Sequence, residues 1–146
     1  FPKGAEEGNG VDLGVGLFIR AKDIDIVAKT IYGEARGQGL DGMKAVASVI
    51  WNRANCNIAK LKSESLKPRQ FSCWNNGPVV PDKKSKVWLE CEKIAKSMYS
   101  GGFSPITTGD HYFAYKGKYK VKNEPYWAFN KTPVDTKGDH KFFDIF

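Results

Sequence analysis

Ile24, Val27, Ala28 and Ile31 recur at three- and four-residue spacing. That period of about 3.6 marks one apolar face of an amphipathic helix, which must be buried against something. Asp23 supplies a candidate N-cap, and Gly37 with Gly39 a candidate stop, so the spacing predicts a helix over 23–35. Glu34 lies three residues after Ile31 and seven after Val27, on the same face. A carboxylate there is partly desolvated and sits at the negative end of the helix dipole. Both effects penalise the ionised form. A carboxylic acid that keeps its proton near neutral pH is what a general acid requires. The same spacing also allows Glu34 to turn out to solvent at a frayed helix end.

Two more helices follow by the same reasoning. Asp41 can cap a second, with Met43, Val46, Ala47 and Ile50 on one face, running to about Ala54. Asp82 can cap a third, with Val87, Cys91, Ile94, Ala95 and Met98 inward and Gly101-Gly102 as the stop. Between them, residues 55–81 are rich in Asn, Pro and Gly and read as a long irregular connection. Loops longer than about 12–15 residues inside a compact domain are usually functional. From Phe103 the pattern changes to aromatics, turns and short alternation, which makes the fold class α+β. Residues 1–20, with Gly4, Gly8, Gly10, Gly14 and Gly16, read as a Gly-rich arm or linker, and 21–146 as one domain.

The net charge of +7 favours a polyanionic partner: nucleic acid, anionic lipid or the acidic polymers of a bacterial wall. Lys116, Lys118, Lys120 and Lys122 alternate with Gly117, Tyr119 and Val121, as on an exposed strand or hairpin. No apolar run approaches the roughly 20 residues of a membrane span. Three cysteines without a CxxC pair argue against zinc, and no metal or cofactor is expected. Cys91 reads as core, and a Cys56–Cys73 bridge is open to the chain in an oxidising compartment.

The run Thr30-Ile31-Tyr32-Gly33-Glu34-Ala35-Arg36-Gly37, then Gly42-Met43-Lys44-Ala45-Val46-Ala47-Ser48-Val49-Ile50 with Asn52-Arg53, resembles the SleB/CwlJ-type cell-wall hydrolases. These are named for spore-cortex lytic enzymes and occur also in other bacteria and in phages. Gln70-Phe71-Ser72, His111-Tyr112-Phe113, Trp127 and Gly138-Asp139-His140-x-Phe142 extend the resemblance to the end of the chain. It implies a lysozyme-like fold, a peptidoglycan substrate and action at the bacterial wall by an export route the sequence leaves open. It also implies one essential glutamate, Glu34, with Asn52-Arg53 as a bracket near the site.

Glycosidic cleavage needs a proton for the leaving oxygen and stabilisation of an oxocarbenium-like centre, and most hydrolases use two carboxylates. No acid is spaced as an evident partner of Glu34; Asp110, beside His111, is the best candidate for a second. A single acid suffices if the sugar's own 6-hydroxyl attacks and leaves a 1,6-anhydro end, which is lytic transglycosylation. Hydrolysis with Asp110 as second carboxylate is the alternative. Late aromatics suit the apolar faces of sugar rings. Tyr112, Tyr126 and Trp127, with His111 beside them, are the groove candidates, whereas His140 reads as structural. The expected protein is a monomer that needs no nucleic acid. A non-catalytic wall-binding or nucleic-acid-binding module is the contrasting class; it explains the lysines but not the Glu34 motif.

Overall fold

The computed structural model describes residues 13–67 and 70–146, with side chains from residue 20 onward. Among the described residues, four helices precede a small sheet: α1 Leu13–Ala35, α2 Gly39–Arg53, α3 Leu61–Ser65 and α4 Lys86–Ser100. The strands are β1 His111–Ala114, β2 Asp135–Lys137 and β3 His140–Phe143, an antiparallel sheet in the order β1-β3-β2. The architecture is α+β, as the helix-then-strand pattern anticipates.

Helix α1 is the axis of the domain and packs on α2, α3 and α4. Val27, Ala28 and Ile31 are fully buried, and they meet Val46, Val49 and Ile50 of α2 and Trp88, Cys91 and Met98 of α4. The apolar spacing thus located the buried faces correctly. The helix start differs from expectation. Asp23 is not a cap but lies inside α1, where it faces Lys62 at 3.8 Å. Helix α1 takes in 13–20 of the stretch expected as an arm. Residues 1–12 of that stretch lie outside the described residues.

The other caps shift by a few residues. Gln38, not Asp41, occupies the N-cap position of α2, and Asp41 sits in the first turn, where a negative charge suits the dipole. At α4 the cap is Ser85, whose hydroxyl accepts from the Trp88 amide at 3.1 Å. Asp82 instead fixes the preceding turn by accepting from the Lys84 amide. Gly101, at φ +89°, ends α4 in the left-handed conformation that glycine tolerates. The connection over 55–81 is not structureless: it holds α3 and two single 3-10 turns, Ile58–Lys60 and Ser72–Trp74.

Strand alternation divides the aromatics between two cores. Tyr112 pairs in register with Phe142, and both belong to the main core against the helices. Phe113 and Phe143 point the other way and form a second cluster with Ala128 and the half-buried Trp127. The Lys116–Lys122 segment is not a strand. It is a loop after β1, closed by a Gly117–Lys120 turn and by the Val121 amide donating to the Ala114 carbonyl at 3.0 Å. Gly117, at φ +83°, bends the chain over Asp139 and breaks the alternation.

Candidate active site

Glu34 occupies the last turn of α1, and three donors converge on it. The Cys73 amide donates to Oε2 at 2.8 Å, the Ser72 hydroxyl reaches the same oxygen at 3.4 Å, and the Tyr112 hydroxyl donates to Oε1. The carboxylate therefore turns into the protein and not out to solvent. Two bulky anchors hold the Ser72–Cys73 segment against it. Phe71 is buried in the main core, with its ring 6.3 Å from that of Tyr112. Trp74 donates its indole N–H to the Thr30 hydroxyl at 2.9 Å.

Gly33 makes this approach feasible. A Cβ there would lie 2.5 Å from Cys73 Cβ and 2.9 Å from its Sγ. The missing side chain lets the segment lie directly on α1 and aim its amide at the neighbouring carboxylate. The packing also settles the cysteines. Cys73 lies over the Thr30 carbonyl with its sulfur 3.9 Å away, and burial next to the Glu34 charge disfavours its thiolate. Cys56 is exposed, and the two are free thiols, so the Cys56–Cys73 bridge is not formed. Cys91 is buried beside Met43, as expected.

Around Glu34 opens a cleft of about 780 Å³, lined among others by Tyr112, His111, Trp127, Asp110, Asp139 and His140. Of the groove candidates, Tyr112, Trp127 and His111 are brought together here. Tyr126 is not among the lining residues: it is 91% exposed on the turn before Trp127. The 3-10 turn Tyr126–Ala128 swings Trp127 inward and leaves Tyr126 outward, an assignment that adjacency in sequence cannot make. His111 packs on Trp127 and Phe146, each with ring centroids at 4.8 Å.

Asp110 is only 4% exposed, and its carboxylate is occupied. Oδ1 meets His111 Nδ1 at 2.8 Å and the Ile145 amide at 2.9 Å; Oδ2 accepts from the Phe146 amide at 2.9 Å. The Asn52-Arg53 pair forms the bracket around it. Asn52 donates to the carbonyls of Thr107 and Gly109, and Arg53 donates to that of Asp110 at 2.8 Å. Arg53 also faces Glu64 at 3.4 Å and lies over the Phe146 ring. The end of α2 thus fixes the start of β1, and with it His111 and Tyr112. Across the cleft, the Gln38 side chain donates to Asp139 Oδ2 and accepts from the Asp139 amide, joining the α1–α2 corner to the β2–β3 turn.

His140 is 7% exposed, its ring edge-on to Tyr112 at 4.9 Å, and its Nδ1 has no partner among the described residues. Burial lowers its proton affinity, partly offset by the charges of Glu34 and Asp139. In the unfolded chain it titrates near pH 6.5, so just below that pH the unfolded state binds more protons. The stability that neutral His140 contributes should be complete above about pH 6.5 and fall away as the pH drops toward the folded-state value. Thermal melts between about pH 4.5 and 8 should show this slope in the parent, and His140→Gln should flatten it. Parallel curves would exclude His140 as its source.

Residues 37–143 match the cell wall hydrolase family. The chain belongs to that family. The matched span begins just after Glu34. A curated relative, a spore cortex-lytic enzyme of Oceanobacillus iheyensis, is 31% identical over 96 residues, covering 62% of this chain and 32% of the relative. The chain therefore spans about a third of that relative's length. Two solved structures share the fold. One is the catalytic domain of the germination-specific lytic transglycosylase SleB from Bacillus anthracis, with TM-score 0.61, 23% identity, and coverage of 83% of this chain and 93% of that one. The other is the catalytic domain of the Bacillus cereus SleB protein, with TM-score 0.62, 24% identity, and coverage of 84% and 90%. The lysozyme-like α+β fold expected from the motifs is thereby established for this member of the cell wall hydrolases.

Sequence reasoning missed Ser72 and the Cys73 amide, which hold Glu34 from the side, and the role of Gly33, which lets them approach. The signal was present. Gln70-Phe71-Ser72 was a recognisable block, and a glycine beside the key acid demands a reason. What spacing lacked was the register that brings residue 73 onto residue 34.

Proposed function

We propose that this cell wall hydrolase cleaves the muramic acid–glucosamine linkage of peptidoglycan strands as a lytic transglycosylase, with Glu34 as general acid and then base. The observation that carries the reading is the occupancy of the cleft carboxylates. Glu34 is presented by the Tyr112 and Ser72 hydroxyls and the Cys73 amide. Asp110 is consumed by His111 and two backbone amides. A hydrolase with a second carboxylate needs that group free to position water or to attack. Asp110, unlike the half-buried Glu34, is only 4% exposed and would have to release three partners first, so its role here is to fix His111 and the chain near residue 146. Asp139 is tied to Gln38.

Protonated Glu34 donates to the leaving glycosidic oxygen as the bond to the muramic C1 breaks. The resulting carboxylate takes the proton of the muramic 6-hydroxyl as that oxygen attacks C1, which closes the anhydro ring and restores the acid. No water is consumed. Trp127 offers a partly apolar platform for a sugar ring, and Tyr112 orients the acid. The names of the relatives support this reading: one is a cortex-lytic enzyme, and another is a lytic transglycosylase. The site of action is then the bacterial wall.

Product chemistry tests the reading. Fragments released from purified walls should carry 1,6-anhydro-muramic ends, one water lighter than reducing ends, and should take up no 18O from labelled water. Mainly reducing muramic ends with 18O at the cut, together with an inactive Asp110→Asn, would establish a hydrolytic muramidase instead.

A further inference from the structure

Among the described residues, two cations that line the cleft contact only neutral groups. Arg36 follows Glu34 by two residues and lines the same cleft. Its guanidinium lies 5.5 Å from the centre of the Tyr32 ring, and the hydroxyls of Tyr32 and Tyr119 face it. Lys116, on the loop after β1, also lines the cleft, and its ammonium lies 5.4 Å from the Tyr115 ring centre. Neither makes an ion pair among the described residues. The nearby cleft carboxylates have other partners: Asp139 takes the Gln38 amide, and Asp110 takes His111 with backbone amides. Tyr119 lines the cleft as well, so the end of α1 and the loop meet across one end of it. A guanidinium oriented by phenols and not neutralised by a carboxylate is prepared for an anion that arrives with the substrate.

We propose that Arg36 and Lys116 form a subsite for the carboxylates of the stem peptide borne by muramic acid, so that strands with free stem carboxylates are preferred to strands whose carboxylates are neutralised. This rests on the proposed function. The chemistry is that of an anion appended to the glycan close to the scissile bond. A neutral sugar polymer would leave both charges unused, whereas a stem peptide places carboxylates a few bonds from the ring held over Glu34. Phosphodiester wall polymers carry anions too, but along separate chains. These are removed from the substrate to distinguish the two sources.

The test measures binding and cleavage separately. Glycan strands are prepared free of phosphodiester polymers by acid extraction, one portion keeping its free stem-peptide carboxylates and the other having them capped as neutral methylamides by carbodiimide coupling. Binding is measured with Glu34→Gln, and with the same protein also carrying Arg36→Gln and Lys116→Gln. Strands with free carboxylates should bind Glu34→Gln about fivefold to tenfold more tightly than capped strands, in line with two exposed to half-enclosed charge pairs. The added substitutions should erase that difference and leave binding of capped strands unchanged. Added salt should weaken only the interaction with free carboxylates. Equal affinity for both strands, or a preference that survives the two substitutions, would overturn the subsite. A preference seen only before acid extraction would assign the cations to wall phosphates and also overturn it. Cleavage by the parent protein reads the underlying function independently: if binding discriminates but neither strand is cut, the catalytic reading fails and the subsite stands.

Discussion

Glu34→Gln should reduce wall lysis by about three orders of magnitude while leaving the domain folded. General acid–base catalysis by a positioned side chain contributes about 10²–10⁴-fold, and in the proposed mechanism one group acts as acid and then as base. The amide has no labile proton to give the leaving oxygen and cannot receive one from the 6-hydroxyl. The fold should survive because glutamine keeps the shape and most of the contacts. Its carbonyl can still accept from the Cys73 amide, and the Tyr112 hydroxyl can turn to accept from its NH2. Circular dichroism and a melting temperature close to the parent's establish folding, and turbidity loss of purified walls measures activity. A folded Glu34→Gln that lyses walls at the parental rate would remove Glu34 from the chemistry and return the cleft to a binding role.

Gly33→Ala should reduce activity about a hundredfold, although it adds one methyl group and touches no charge. The new Cβ would fall 2.5 Å from Cys73 Cβ, so the Ser72–Trp74 turn must retreat from α1. That turn is pinned on both sides by Phe71 in the core and by Trp74 on Thr30, so retreat is resisted and overpacking costs about 1–3 kcal/mol. The Cys73 amide would then miss Glu34, and misplacement by about 1 Å at a catalytic group can cost about a hundredfold in rate. Cys73→Gly should relieve the clash, since it removes the atoms that the added methyl group would strike. The double substitution should therefore recover activity relative to Gly33→Ala, a non-additivity that a mutant cycle detects. Full activity in Gly33→Ala, or no recovery in the double variant, would show that the Cys73 amide does not position Glu34.

Much of this fold was legible along the chain. The 3.6-residue period in 24–31, 43–50 and 87–98 placed three helices and their buried faces, because a helix that must bury one stripe writes it into local spacing. Gly101 marked the end of α4 for an equally local reason, the left-handed conformation glycine tolerates. The helix starts were less legible. Asp23, Asp41 and Asp82 are all chemically fit to cap, yet Asp23 lies inside a helix, Asp41 in a first turn and Asp82 in the turn before Ser85. Several polar residues near a helix start can cap it, and packing decides which one does.

The site divides in the same way. Sequence alone singled out Glu34, since its face, its helix end and its motif are all short-range properties. It also gave the supply of aromatics in the second half of the chain. Tertiary structure alone decided which aromatics line the cleft: Trp127 faces it and Tyr126 faces solvent because one 3-10 turn rotates them apart. It decided that the lysines after β1 form a loop and not a strand, because Gly117 bends the chain across Asp139. It decided that Asp110 binds the chain near residue 146 and His111, and that the Cys73 amide reaches Glu34. Apart from the neighbouring His111, these contacts join residues 35, 36 and 39 positions apart. Local periodicity carries no record of such pairings, which arise only when the packing of helices and sheet brings distant segments within hydrogen-bond reach.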